Sequence, residues 1–242
     1  GIVSSKLNYT PLIQKATHLK KIIFKESNDL IKYRMHLKNN NVNNYVHNLL
    51  EIDKSKHVIF YASDPSKEER QRYDQERFLY GQMSKCNDSI LVVKTHRQDN
   101  GNITHLAYKS CNSPHNIILI GDCLQKKMIS KDFLLFPEFN FHSAICSCNG
   151  FITSSSSSIL EALALNIKSG ILDTKNHYYY RDLVDLKALK LINKDYSIQD
   201  FINEKKWKIP NAALKYCGLE KDVKFDVPLN YEIIIKEELK VK

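Results

Sequence analysis

Between residues 57 and 173, short and wholly apolar runs recur, each followed by a stretch with helical periodicity, and this alternation narrows the possible folds more than any other feature. His57-Val-Ile-Phe-Tyr-Ala62, Ser89-Ile-Leu-Val-Val-Lys94 and Asn116-Ile-Ile-Leu-Ile120 are apolar without a period of two, as strands covered on both faces require. Asp64-Pro65-Ser66 ends the first run. Ser66 with Glu69 then predicts a capping box for a helix that turns Tyr73, Phe78, Leu79 and Met83 toward the sheet. Farther on, the pattern predicts a short helix over Phe141–Cys148, a strand over Gly150–Thr153, a helix over Ser158–Leu165 and a strand over Lys168–Asp173. Such alternation implies right-handed crossovers and an α/β doubly wound, mainly parallel sheet, which binds ligands at the carboxyl ends of its strands.

The flanks differ from this middle. Thr10-Pro11 is a good helix start, and Leu12, Ile13, Ala16, Leu19, Ile22 and Ile23 follow on one face. The polar stretch Lys38–Asn44 has neither period and is expected to be a linker. The tail from Tyr178 is expected to be mostly helical, with Leu183, Leu186, Leu189 and Leu191 as buried candidates. The predicted division is therefore 1–56, a remnant of a preceding domain plus linker; 57–175, the α/β domain; and 176–242, a helical extension.

Charge and cysteine usage exclude little but direct the search. A net charge of +9 attracts anions, among them nucleic acid, lipid headgroups, sugar nucleotides and acidic glycans. The excess is dispersed lysine, as in Lys20-Lys21, Lys126-Lys127 and Lys205-Lys206, without the interleaved aromatic and arginine pattern of a nucleic-acid module. Six scattered cysteines make no disulfide framework, and Cys146-Ser-Cys148 lacks a second pair or histidine set, so thiols in a reducing compartment are expected and no metal site. Gly1–Ser5 is expected not to be a secretion signal, and a cytoplasmic location follows, with room for peripheral membrane contact.

Two segments carry the candidate chemistry. Thr153-Ser154-Ser155-Ser156-Ser157-Ser158 runs from the carboxyl end of a predicted strand into the helix Ile159–Ala164. A strand-to-helix turn presents backbone N–H groups and the positive end of a helix dipole, and small hydroxyl side chains let a phosphate approach. A helix cap is the competing explanation, since Ser158 with Glu161 has capping-box spacing; Glu161 is otherwise placed to accept from a ribose hydroxyl. The second segment, Lys94-Thr-His96-Arg97, ends another predicted strand with three side chains that can donate to phosphate. The seven glycines are isolated, which excludes the Gly-rich phosphate loops, and the serine run lacks the Gly-x-Ser-x-Gly elbow of serine hydrolases.

A strand ending in Lys94-x-His96, a further strand, and then a strand ending in Thr153-Ser154 followed by a Glu-Ala helix resembles the C-terminal, donor-nucleotide domain of GT-B glycosyltransferases that build bacterial surface polysaccharides. The most similar groups are capsule transferases using CMP-activated Kdo or sialic acid, and CDP-glycerol polymerases. The resemblance covers about His57 to Thr174 and implies a Rossmann-like domain. The resemblance implies that His96 and the Ser154–Ser156 region hold the donor's phosphate, and the strand ends and turn add Lys94, Arg97, Ser157 and Glu161 as candidate nucleotide-binding residues. Arg97 stands where the family has Pro, so the loop after His96 is expected to be less rigid. A GT-B enzyme has two such domains, and residues 1–56 are too few for the other, so no catalytic base is assigned.

The expectation is a glycosyltransferase, or its donor-binding portion, moving a sugar from a nucleotide to a surface glycan or lipid-linked acceptor. No cofactor is expected beyond that donor, and nucleic acid is not the expected partner. A sugar-nucleotide epimerase of the same architecture is the enzymatic rival. A basic module without catalysis, bound to nucleic acid or a membrane-associated assembly, is the rival of another class.

Overall fold

A computed structural model describes residues 44–63, 68–96, 99–121, 130–136, 139–172 and 180–216, with side chains as far as 213, and the backbone of two short strands, β1 (Ile2–Val3) and β2 (Ile23–Phe24). The chain forms two compact units, one of residues 1–40 with 214–242 and one of Asn41–Ala213. In the first, β1 and β2 pair in parallel, Ile2 opposite Ile23 and Val3 opposite Phe24. Ile23, expected on the face of the Thr10 helix, is therefore a strand residue. The rest of that predicted helix, like Asp64–Ser66 and Arg97, lies outside the described residues.

The second unit runs α1 (Tyr45–Leu49), β3 (His57–Ala62), α2 (Glu69–Met83), β4 (Ser89–Lys94), α3 (Asn102–Ser110), β5 (Ile117–Ile120), β6 (Phe133–Leu134), α4 (Phe141–Cys146), β7 (Gly150–Thr153), α5 (Ser158–Ala164), β8 (Ser169–Leu172), α6 (Arg181–Asp185), β9 (Lys190–Ile192), α7 (Ile198–Asn203) and the first half of α8 (Asn211–Tyr216). Seven strands form one sheet in the order β6-β5-β4-β3-β7-β8-β9, and every pair is parallel. The doubly wound, Rossmann-like architecture is thus present. It extends past residue 175: Lys190–Ile192 lies in the stretch expected to be mostly helical, yet adds the last strand, and the compact unit continues to Ala213.

Burial explains why β3 is apolar after His57. Ile59 and Tyr61 face a core built with Leu79, Tyr80 and Met83 of α2, Ala107 of α3 and Phe201 of α7. Phe60 faces the other way, where its ring stacks on Phe139 and Phe151 at centroid distances of 6.2 and 6.1 Å and meets Phe141 edge-on at 5.6 Å. A strand with both faces covered favours apolar side chains along its middle, so the helical partners on each side dictate the continuous apolar run. Helix α2 begins at Glu69 with Glu68 at the N-cap and no side-chain capping bond. Cys148 is buried, and burial pushes its thiol up to about 12; Cys146 is half-buried. Among the described residues no helix is long and apolar enough to cross a membrane.

Candidate functional site

Strand order reverses between β3 and β7: the chain steps outward from β3 through β4 and β5 to β6, then returns to β7 on the other side of β3. At such a reversal the loops leave in opposite directions and open a crevice beyond the carboxyl ends. Ala62, the last residue of β3, is in register with both Lys94 of β4 and Thr153 of β7. The two segments singled out from the sequence therefore emerge at one height on one edge, with β3 between them. Two strand spacings of about 4.8 Å separate their backbones by about 10 Å.

The serine loop is held by its own hydroxyls. Thr153 donates through Oγ1 to the Ala62 carbonyl at 3.1 Å, and the same oxygen accepts the Ser156 amide at 3.1 Å. Ser156 Oγ accepts the Ser158 amide at 3.3 Å and meets Ser158 Oγ at 2.9 Å. Tyr180, buried at the start of α6, donates its hydroxyl to the Ser155 carbonyl at 3.0 Å. Ser154 is buried, Ser155 and Ser156 are half-buried and Ser157 is exposed.

The expected capping box of Ser158 and Glu161 does not form. Helix α5 starts at Ser158 with Ser157 as N-cap in helical geometry and without a side-chain capping bond. Glu161 is then the fourth helical residue, one past the position from which a side chain reaches back to the N-cap amide. Released from the cap, Glu161 keeps one carboxylate oxygen, Oε2, buried with no hydrogen-bond partner among the described residues. Burial raises its pKa above the ordinary carboxylate value.

At the end of β4, Lys94 is half-buried and turns its ammonium back to the Thr95 carbonyl at 2.9 Å. Thr95 is buried, its amide and hydroxyl both bonded to the Ile120 carbonyl at 3.0 and 3.2 Å. His96 is half-buried, and its carbonyl accepts the Asp99 amide at 2.9 Å.

Sequence reasoning missed a buried polar cluster beneath these loops, made of Ser63, Arg72, Glu76, Asp99 and Thr104. Its only linear signal was the four-residue spacing of Arg72 and Glu76 on a helix. The same carboxyl edge also carries a cavity of about 1100 Å³ between the outer face of α2 and the ends of β8 and β9, floored by Phe78, Leu172 and Ile192 and rimmed by Glu69, Asp74 and Asp195. Lys94, His96, the serines 154–157 and Glu161 are not among its lining residues.

No protein-family model matches the sequence, and no curated protein matches it. Solved structures do match in three dimensions. UDP-GlcNAc 2-epimerase from Neisseria meningitidis, bound to UDP-GlcNAc, superposes with a TM-score of 0.58 at 14% identity, over 99% of this chain and 61% of that one. MnaA of S. aureus, solved with UDP, gives 0.58 at 15% identity, over 100% and 60%. WaaG, a glycosyltransferase involved in lipopolysaccharide biosynthesis, gives 0.51 at 9% identity, over 94% and 60%. The chain spans about 60% of the length of these proteins. At such identities the likeness is one of fold, and the fold is that of the GT-B proteins.

Proposed function

We propose that the edge formed by β4, β3 and β7 holds the nucleotide end of an activated sugar within a GT-B enzyme. The observation that carries this reading is the register of Lys94, Ala62 and Thr153, which brings a cationic segment and a hydroxyl-rich turn to one topological switch point. In this reading the Ser154–Ser157 turn receives the phosphates on its amides and hydroxyls. Lys94, His96 and Arg97 donate to them, and Glu161, whose Oε2 has no partner among the described residues, accepts from the ribose hydroxyls. Cationic side chains and oriented amides stabilise a leaving phosphate without a further cofactor. The net charge of +9 draws such donors to the surface.

The reaction we propose is glycosyl transfer to a bacterial surface polysaccharide, cytidine-activated donors being those of the capsule groups that the sequence resembles. Epimerisation of a UDP-sugar is the second reading, favoured by two UDP-GlcNAc 2-epimerase neighbours, one solved with UDP-GlcNAc and one with UDP-GlcNAc and UDP. Calorimetric titration with UDP, CDP, CMP and GDP tests the common part. Saturable binding of one of them is expected, and preference for UDP over the cytidine nucleotides moves the assignment from the capsule groups. Absence of binding to all four, with retention on DNA that falls steeply with salt, would sink the proposal in favour of a nucleic-acid module.

A further inference from the structure

Arg72 is 5% exposed, Glu76 0% and Asp99 8%, so three charges lie almost out of water at one end of α2. The guanidinium, a rigid planar fork, donates from Nε to Glu76 at 3.0 Å and from Nη2 both to Asp99 and to Thr104 Oγ1, the latter at 2.7 Å. Glu76 also accepts the hydroxyl of Ser63 at 2.9 Å and that of Tyr80 at 3.2 Å. Asp99 accepts the Gly101 amide at 2.9 Å, and its own amide closes onto the His96 carbonyl at 2.9 Å. Ser63 is the first residue after β3, and His96 to Asp99 is the loop after β4. Asp99 thus ties the loop after β4 to the guanidinium directly, and Ser63 is tied to it through Glu76.

Stability is a weak reason for such a cluster, because buried ion pairs are often replaced by apolar side chains of similar volume at no cost. Nor is Arg72 available to a ligand, since two carboxylates already engage it. Burial alone would lower its pKa, but Glu76 and Asp99 outweigh that and hold it above the ordinary arginine value. What the cluster does do is join the two loops at the edge of the crevice. We propose that Arg72 and Asp99 are positioning residues for the nucleotide site, fixing the backbone of His96 through the Asp99 amide that its carbonyl accepts. The inference rests on the nucleotide-binding reading above.

The test uses Asp99→Asn, which keeps the size and the acceptor for Gly101 but removes the charge, with Asp99→Glu as the conservative partner. Leu79→Ala, which cuts volume from the same helix in the core, is the control for stability alone. UDP affinity by calorimetry, melting temperature and hydrogen exchange of the 95–101 backbone are measured together. Asp99→Asn is expected to weaken UDP binding about tenfold, the equivalent of one charged hydrogen bond, and to speed exchange at 95–101 ahead of the rest of the domain. Asp99→Glu is expected to recover part of the affinity, and Leu79→Ala to melt earlier with unchanged UDP affinity. If Asp99→Asn does not fold, Thr104→Val removes only the hydroxyl acceptor of Arg72 and is expected to show the same two changes in smaller measure. Unchanged exchange at 95–101 overturns the positioning role whatever the ligand. A wild-type chain that binds no nucleotide, with exchange at 95–101 still quickened by the variant, overturns the nucleotide reading instead.

Discussion

Thr153 and Ala62 are joined across the switch point, the threonine hydroxyl donating to the alanine carbonyl at 3.1 Å while accepting the Ser156 amide. One oxygen thereby closes the crevice floor and sets the path of the serine turn. Thr153→Val keeps the shape and leaves a buried carbonyl and the Ser156 amide unpaired, so a loss of about 1–3 kcal/mol is expected in chemical denaturation. Thr153→Ser is expected to recover most of it. Equal stability of the two variants would show that water or a neighbour replaces the hydroxyl.

The serine turn divides into frame and contact. Ser156→Ala removes the acceptor for the Ser158 amide and is expected to cost about 0.5–1.5 kcal/mol. Ser158→Ala loses a single hydroxyl contact, and a smaller change is expected, because Ser158 is not the N-cap. At Ser155 and Ser157 alanine keeps the backbone, including the carbonyl that Tyr180 bonds. At exposed Ser157 the melting temperature should hold, and at both positions nucleotide affinity should fall by about 1.5–3 kcal/mol, the scale of a hydrogen bond to a charged group. Stability losses spread evenly over all four positions, with affinity constant, would reduce the turn to a cap.

The parts legible in the sequence are those in which one residue type repeats for one reason. β3, β4, β5 and β7 are buried on both faces, so their apolar runs announce them. β6 has two residues, one of them exposed, and β9 has three; edge strands this short leave no period to find. Of the four leucines expected to be buried, Leu183 and Leu189 are and Leu186 and Leu191 are half-buried, while the strand that starts at Lys190 is recognisable only from its partner, Gly170 to Leu172. In the site, chain position alone brought His96 and the serines to one edge, because every parallel strand ends on the same side. The Arg72, Glu76 and Asp99 cluster was invisible, since it depends on a helix and a loop 27 residues apart meeting in space.

Gly150 opens β7 where the ring of Phe201 crosses it. A Cβ built there lies 2.7 Å from Phe201 Cε1 and 3.1 Å from both Phe201 Cζ and Ile59 Cδ1. Phe201 is fully buried, so its ring has little room to yield. Gly150→Ala is expected to destabilise the domain by about 1–3 kcal/mol through overpacking. Phe201→Leu, costly alone, should relieve the clash, so the double variant is expected to be more stable than the sum of the two losses. Strict additivity in denaturant melts would show that the ring is not the obstacle.

Glu161 links the stability of the domain to its ligand. Burial raises the carboxyl pKa in the folded state above its unfolded value, so the folded protein holds that proton more tightly and the ionised side chain works against folding at neutral pH. This cost is present above the folded pKa and disappears as pH falls below the unfolded value of about 4.3. Glu161→Gln removes the charge while keeping the size. The variant is therefore expected to melt higher than the wild type at pH 7 and to converge with it near pH 3.5, a point below both values. Nucleotide binding should move the other way. If the carboxylate accepts the ribose hydroxyls, its neutralisation is expected to weaken affinity by about tenfold or more, while the nucleotide's effect on melting temperature shrinks accordingly. A variant that gains stability at pH 7 and binds nucleotide as well as the wild type would place the ribose elsewhere on the edge. One that gains no stability would mean that Oε2 has a partner in the folded protein.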